Sequence, residues 1–477
     1  MAVAEGQPRY RSPVRSSERR LSGWGRTAGS CARVFEPRGA EDIAEVLDGA
    51  GRAGTGVIAR GAGRSYGDAA QNAGGAVLDT SGLERIIAVD PARGLVRAQA
   101  GATVARLMAR LAADGLTLPV VPGTRHVTLA GAIASDIHGK NHHRDGGFAR
   151  HVVSLSLCTP AEGFVEVSPE TDPELFYATF GGMGLTGVIV EATLRAETLR
   201  SRWLAVDTDR TDGLEQTLEL MSAEERHRYS VAWMDLLAEG PRMGRAVISR
   251  ADRLPEDGAA PRDVGRRARR RADPALLSRR AALEVPRGLP AGLLQPAGVR
   301  AFNALRWRST AHCERARPVA LAPYFFPLDG LGEWNRLYGP AGLIQYQFVL
   351  PTGEEAALRR CFELIRIRGL PVYLAVFKRF GPAFGGALSF PIEGWTLAID
   401  LPAAAPALGP ALDALDEIVA GCGGRVYLSK DVRLRRDVLD AMYPQLDRFL
   451  AQRARVDPDE VLRSDLSRRL GLCEPGR

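Results

Sequence analysis

The stretch Ala59-Arg60-Gly61-Ala62-Gly63-Arg64-Ser65-Tyr66-Gly67-Asp68 follows a short apolar run, Gly56-Val57-Ile58, that reads as a strand entering a loop. Glycines at 61, 63 and 67 let the backbone approach an anion closely and take positive φ where needed. Successive loop N–H groups then form a nest for phosphate oxygens. The spacing departs from the G-x-G-x-x-G that opens a Rossmann helix, because the third glycine comes one residue late. Residues 69–75 end in turn formers rather than in a long amphipathic helix. The loop therefore predicts a pyrophosphate cradle on a different scaffold, with an ordinary Gly-rich turn between strands as the plain alternative.

Working outward, strand-like and helix-like segments alternate from Arg33 onward. Residues 41–50 place Ile43, Val46 and Leu47 on one helical face. Residues 76–79, 85–89 and 95–100 read as strands, and Thr103 as the N-cap of a helix reaching Ala113. The small residues of 128–143 predict an element packed close to a flat ligand. A hairpin is expected over 152–158 and 164–167, then a helix over 173–180 and a strand over 188–194. Gly182-Met183-Gly184-Leu185-Thr186-Gly187 matches G-x-G-x-x-G, but it follows a helix and precedes a strand, the reverse of the dinucleotide order. It is expected instead to add a second wall around one nucleotide.

At 477 residues the chain is long enough for two or three domains. No apolar run approaches the ~20 residues of a membrane span, and residues 1–20 lack the apolar core of a signal peptide. The cysteines at 31, 158, 313, 361, 422 and 473 show no C-x-x-C spacing, which argues against a zinc site or a disulfide framework and suits a reducing compartment. The net charge of +7 rests on arginine far more than lysine. That balance suits phosphate-bearing ligands or an anionic membrane surface, and equally a GC-rich genome.

Residues 242–300 are dense in arginine, proline and glycine, including the run at 266–271, and predict a solvated, partly disordered insert; a mobile basic lid or membrane-contact loop is the sharper alternative. Between 320 and 400 the chain is aromatic, with strands expected at 324–327, 344–349, 372–378 and 395–400, and another at 425–431. In the second of these, Gln345 and Gln347 share one face while Ile344, Tyr346 and Phe348 share the other, as a polar pocket wall or a solvated sheet face requires.

Several motifs together resemble the FAD-linked oxidases of the vanillyl-alcohol-oxidase type. They are Leu21-Ser22-Gly23-Trp24-Gly25-Arg26-Thr27-Ala28, the loop at 60–68, Pro122-Gly123-Thr124-Arg125 and Asp136-Ile137-His138-Gly139-Lys140-Asn141-His142-His143. Gly184-Leu185-Thr186-Gly187, Glu333-Trp334-Asn335-Arg336, Tyr338-Gly339-Pro340-Ala341-Gly342 and Leu388-Ser389-Phe390-Pro391-Ile392 add to them, with Ser429-Lys430-Asp431 and Met442-Tyr443-Pro444. The resemblance runs from about residue 20 to 470 and is weakest across the arginine-rich insert.

The resemblance implies an α+β flavoprotein. Residues 1–198, rejoined by 424–477, would form a two-lobed FAD-binding domain, and 199–423 a substrate domain with an antiparallel sheet. FAD would contact Arg60, Gly61, Ala62, Gly63, Arg64, Ser65, Tyr66 and Gly67 of the loop. Pro122, Gly123 and Thr124 would add to this, as would Gly131, Ala134, Ser135, Ile137, His138, Gly139 and Asn141. Gly187, Ile189 and Tyr427 complete the implied cofactor set. Relatives often tether flavin through a histidine in the loop; Arg64 stands at that place here, so the FAD is expected to be non-covalent.

The implied chemistry is hydride transfer from a sugar carbinol to the flavin, with Lys430, Tyr427 and His138 as catalytic residues. Lys140, Trp233, Gln345, Gln347, Lys378, Thr396, Ala398 and Lys430 would meet the substrate. The nearest branch of the family oxidises the 2′-hydroxyl of decaprenylphosphoryl-β-D-ribofuranose, the first half of an epimerisation to the arabinose donor of a cell-wall polysaccharide. A separate NADH-dependent short-chain reductase completes that epimerisation, and quinone or O2 takes the electrons. Location in the cytoplasm or at the cell-membrane surface is implied, with the periplasmic side as the alternative that close family members offer, and with no nucleic acid partner. The same oxidation of another glycosyl, alditol or nucleoside substrate, and a non-enzymatic lipid- or nucleic-acid-binding scaffold, stand as alternatives. Members of the branch often carry a cysteine two residues before the aspartate of the segment Gly394-Trp395-Thr396-Leu397-Ala398-Ile399-Asp400; here Ala398 takes its place, which predicts resistance to thiol-capturing inhibitors.

Overall fold

The computed structural model describes residues 14–223, 226–255, 277, 281, 283–289, 294–406 and 408–473. Near the start of the chain lie β1 (Ser16–Ser22), β2 (Gly29–Phe35), β3 (Val57–Arg60) and β4 (Ala76–Asp79). They form a sheet in the order β1-β2-β4-β3, antiparallel at β1/β2 and parallel elsewhere. Parallel neighbours need a crossover, and the helix Ala40–Ala53 supplies it, burying Ile43, Val46 and Leu47.

Next come β5 (Ile86–Asp90), β6 (Leu95–Gln99), β7 (Leu116–Thr117), β8 (Val152–Thr159), β9 (Gly163–Val167), β10 (Val188–Arg195) and β11 (Glu197–Thr198). Five of them make an antiparallel sheet ordered β5-β6-β10-β8-β9, while β7 pairs with β11. The helix Val104–Ala113 begins where expected, the Thr103 hydroxyl accepting from the Arg106 N–H.

The third sheet is built from β12 (Trp203–Thr211), β13 (Tyr229–Asp235), β14 (Arg245–Arg253), β15 (Cys313–Ala320), β16 (Leu343–Pro351), β17 (Leu374–Phe380), β18 (Gly394–Pro402) and β19 (Arg425–Val426). It is antiparallel throughout, ordered β15-β12-β14-β13-β17-β18-β16-β19. Strand alternation divides its residues. Ala232, Met234, Phe348, Ala375, Phe377, Leu397 and Ile399 are buried in a core shared with Leu358 and Phe362 of the helix Glu355–Ile367 and Leu412 and Leu415 of the helix Leu408–Gly421. Gln345, Gln347, Leu374, Val376, Lys378 and Ala398 take the other face and line a cavity.

The architecture is the α+β class expected, and three local expectations change. The arginine-rich stretch does not begin as a solvated insert, since Arg245–Arg253 is a strand between β12 and β13 in the large sheet. Most of residues 254–293, including 256–276 with the arginine run, lie outside the described residues. Residues 324–327 do not form a strand: Leu321–Phe325 is a helix whose first turn accommodates Pro323, and Phe325 packs edge-on to Tyr229 at 4.9 Å. The strand expected at 425–431 stops at Val426, where the backbone turns so that Lys430 N–H donates to Tyr427 O at 2.9 Å. Beyond it the chain returns to the first sheet, with Arg463 N–H donating to Val57 O at 2.9 Å.

Candidate active site

The loop at 60–67 is held rigidly by its neighbours. Trp24 N–H donates to Ser65 O at 2.8 Å and Gly25 N–H to Tyr66 O at 3.0 Å. A Cβ at Gly23 would lie 2.1 Å from Gly67 O, which accounts for the glycine of the 21–28 motif. Arg60 reaches Ser22 O at 2.8 Å and Ala70 O at 3.0 Å. From the far end of the chain, Ser429 O accepts from Tyr66 N–H at 2.9 Å. The loop thus faces a cavity of about 710 Å³ with its backbone already constrained.

One wall consists of Gly61, Ala62, Gly63, Arg64, Ser65 and Tyr66, with Trp24 beside them. A second is made by Pro122, Gly123 and Thr124, then by Gly131, Ala134, Ser135, Ile137 and His138 around the helix Leu129–Ala134. Met183, Gly184, Gly187 and Ile189 add a third, so the second glycine-rich motif does meet the first. The large sheet closes the fourth side with Gln345, Gln347, Lys378 and Ala398, and the turn after β19 adds Tyr427, Ser429 and Lys430. Glu284, Glu333 and Arg336 also line it, where Arg336 donates to Val285 O at 2.7 Å.

Seven residues expected at the site are not in this lining, and each has structural employment. Arg60 braces the loop as described, and Gly67 is needed because its Cβ would sit 1.9 Å from Asp431 O. A Cβ at Gly139 would lie 2.5 Å from Asn141 Oδ1, and Asn141 itself donates to Pro119 O at 2.9 Å. The Lys140 ammonium is turned onto the Tyr324 carbonyl and ring. Trp233 shares the cross-strand row of Val376, Ala398 and Gln347, but one strand too far out, with Arg306 5.0 Å from its ring centre. Thr396 is fully buried behind the wall, donating to Phe348 O at 2.8 Å.

Polar groups converge at the sheet side. His138 has Lys378 Nζ 2.9 Å from Nδ1 and Gln347 Nε2 3.0 Å from Nε2. Burial first, then the neighbouring Lys378, His142 and Lys430, hold His138 well below the ordinary histidine range, so it is neutral. Burial also brings Lys378 down to about 7, helped by Lys140 and Lys430. It brings Lys430 down to about 8 against the opposing pull of Asp400. Lys430 Nζ lies 4.0 Å from the centre of the Tyr66 ring. Asp400 is raised to about 6 by burial and accepts from Gln345 at 2.5 Å. Tyr427 keeps its proton, raised by burial, and donates it to Ser135 O at 2.8 Å.

The residues present fit a dinucleotide with a pyrophosphate. The buried Nε of Arg64 has no hydrogen-bond partner among the described residues, and its guanidinium stacks 4.0 Å from the Trp24 ring at the cavity wall. A Cβ at Gly123 would meet no protein atom within 4 Å, leaving room there for a ligand. Gly63, at φ 61°, takes the left-handed backbone expected of the cradle.

Sequence comparison agrees. Residues 31–168 match the model of an FAD binding domain. Over 466 residues, 96% of this chain and 98% of the relative, the sequence is 40% identical to decaprenylphosphoryl-beta-D-ribose oxidase of Mycolicibacterium smegmatis. It is also 40% identical over 377 residues to an uncharacterised Streptomyces coelicolor protein, covering 78% of this chain and all of that one. Identity to L-gulono-1,4-lactone dehydrogenase of Mycobacterium tuberculosis is 26% over 442 residues, 92% of this chain and 95% of the relative.

Trp24, Thr128, Met183, Leu374 and Val376 line the cavity without having been expected there. Trp24 and Met183 lie inside motifs already singled out, and Leu374 and Val376 follow from Lys378 by strand alternation. The chain is an FAD-dependent oxidoreductase acting on CH–OH groups, and it belongs to the decaprenylphosphoryl-β-D-ribose oxidase family of FAD-linked oxidases.

Proposed function

We propose that the protein oxidises the 2′-hydroxyl of decaprenylphosphoryl-β-D-ribofuranose to the 2′-keto sugar. The observation that carries this reading is the row of Lys378, His138, Gln347 and Lys430 facing the Gly-rich cradle across one cavity. The near full-length likeness to the Mycolicibacterium oxidase supports the choice of sugar. FAD, bound non-covalently because Arg64 rather than a histidine stands in the loop, supplies the hydride acceptor.

The protein's own groups manage the proton. Lys430, brought near 8, is the group assigned to the carbinol oxygen, where its uncharged form accepts the hydroxyl proton as the hydride departs. His138 is held neutral between Lys378 and Gln347 and fixes the wall against which the sugar rests. Gln345 ties Asp400 in place, and that carboxylate tunes Lys430. Tyr427 spans from the sheet end to Ser135 and orients the cofactor wall.

In this reading residues 1–198 and 424–477 hold the cofactor and 199–423 the substrate, with β19 lending two residues to the substrate sheet. An NADH-dependent short-chain reductase consumes the ketone, quinone or O2 removes the electrons, and the lipid tail brings the protein to a membrane surface. Among the described residues no helix is long and apolar enough to cross one. Anaerobic mixing with decaprenylphosphoryl-ribose should bleach the flavin. Bleaching by a soluble sugar lactone or alditol alone would replace this reading with a second one, which the resemblance to the gulonolactone dehydrogenase favours.

A further inference from the structure

All but three of the 63 basic residues in this chain are arginine, and the three lysines are Lys140, Lys378 and Lys430. Whatever drives arginine elsewhere, these positions keep a group that can lose its proton, which arginine does not. All three lie at or beside the cavity, and burial lowers all three. The hydrogen bonds around one of them decide its state.

Thr396 has a single hydroxyl proton, and it goes to Phe348 O at 2.8 Å. Its oxygen can therefore only accept from the Gln347 side chain, 3.2 Å away, which fixes the amide with its NH2 toward Thr396. The same nitrogen faces His138 Nε2 at 3.0 Å, so Nε2 must be the bare, accepting nitrogen of the imidazole. A neutral imidazole then carries its proton on Nδ1. Nδ1 faces Lys378 Nζ at 2.9 Å, and an N–H can be met there only by an amine with a lone pair. The reverse arrangement, with a charged Lys378 donating to Nδ1, would put the Gln347 carbonyl oxygen against the Thr396 oxygen, acceptor to acceptor.

We propose that Lys378 is held as an uncharged primary amine by the chain Thr396–Gln347–His138, and that it is a nucleophilic modification site for small aldehydes and ketones entering the cavity. This goes beyond the proposed oxidation and does not depend on which sugar is used. In the capture step Lys378 turns off the His138 Nδ1–H, which frees its one lone pair. The amine nitrogen forms a bond to the carbonyl carbon while the carbonyl π pair moves to oxygen. The carbonyl oxygen then leaves as water with the two amine protons, giving an imine. Added cyanoborohydride delivers hydride to that carbon and solvent returns a proton to nitrogen, leaving a stable secondary amine. Among the described residues, the charged or titratable groups facing Lys378 are His138, Lys140 and His142 from the 138–142 segment and Lys430 from the turn after β19. None is a carboxylate, so nothing among them favours the ammonium; Asp400 acts on Lys430 instead.

The test is reductive methylation of the FAD-loaded protein by formaldehyde and cyanoborohydride at neutral pH, mapped by peptide mass spectrometry. With three lysines in the chain, each site is read without ambiguity. Lys378 should be methylated about tenfold faster than Lys430. Thr396→Val, which removes the hydroxyl that selects the amide orientation, should slow Lys378 labelling about tenfold at neutral pH, and Thr396→Ser should restore it. Lys378 labelling no faster than Lys430, or labelling unchanged in Thr396→Val, overturns the proposal. If neither variant loads FAD, the ¹⁵N signals of His138 in the wild-type protein decide it: protonated Nδ1 with bare Nε2 supports the chain, and protonated Nε2 refutes it.

Discussion

The hydroxyl of Tyr427 donates to the carbonyl oxygen of Ser135 across 2.8 Å, joining walls of the cavity that are 292 residues apart in sequence. Both groups are buried, so removing the donor leaves a carbonyl unsatisfied. Tyr427→Phe should therefore cost about 1–3 kcal/mol of stability and weaken FAD retention. Denaturant unfolding and flavin content measure this. Flavin reduction in Tyr427→Phe should fall less than in Lys430→Ala, because the hydroxyl is committed to the backbone rather than free for the sugar.

Lys430 sets the alkaline dependence of the rate. With its ammonium near 8, kcat/KM should rise as pH increases through that value, because the uncharged amine is the acceptor. Asp400 is what pulls Lys430 upward, so Asp400→Asn should move that limb to lower pH. A limb that stays in place would sever Asp400 from Lys430. Lys430→Ala should abolish the limb and slow reduction severely while FAD remains bound.

The buried lysines also shape stability against pH. Lys378 is brought from an ordinary 10.5 to about 7 in the folded protein. Between those values the unfolded chain binds the extra proton and the folded one does not, so stability rises with pH across the window. Each such lysine contributes a slope of up to about 1.4 kcal/mol per pH unit. Lys378→Met should flatten the measured curve between neutral pH and about 10, with no change of slope below 7.

Two glycines separate scaffold from ligand contact. A Cβ at Gly67 would collide with the Asp431 carbonyl oxygen at 1.9 Å. Gly67→Ala should lose about 1–3 kcal/mol through forced backbone movement. At Gly123 a Cβ meets nothing within 4 Å in the protein itself. Gly123→Ala should melt as the wild type does when stripped of flavin, yet bind FAD more weakly. Equal FAD affinity would remove Gly123 from the cofactor wall.

Ala398 pairs with Gln347 on one side and Val376 on the other, and its methyl group faces the cavity. A thiol placed there would point at whatever occupies it. Thiol-capturing inhibitors should leave the wild-type protein unmodified by mass spectrometry at this position and form an adduct with Ala398→Cys.

Much of this site was legible because short-range chemistry wrote it. Gly61 and Gly63 announce a close backbone approach, and the alternation of Gln345 and Gln347 against Tyr346 and Phe348 gives the face of a strand. What alternation does not give is distance across a sheet. Trp233 lies in the right row and one strand too far, and Thr396 sits behind the wall it was expected to form. Arg60 and Gly67 belong to the cradle motif yet serve its rigidity, a role visible only once Ser22, Ala70 and Asp431 are brought beside them. Glu284 and Glu333 reach the cavity through the bond from Val285 N–H to Gly332 O, a pairing that no local pattern encodes.

The clasp between Tyr66 and Ser429, reinforced where Arg469 pairs with both Asp68 and Asp431, has a consequence for the order of synthesis. On the ribosome the phosphate cradle emerges about 360 residues before the turn bearing Tyr427 and Lys430. A nascent chain therefore carries one half of a flavin pocket until that turn follows. Full capture of the cofactor awaits the turn that carries Tyr427 and Lys430, because the early half of the pocket lacks that wall.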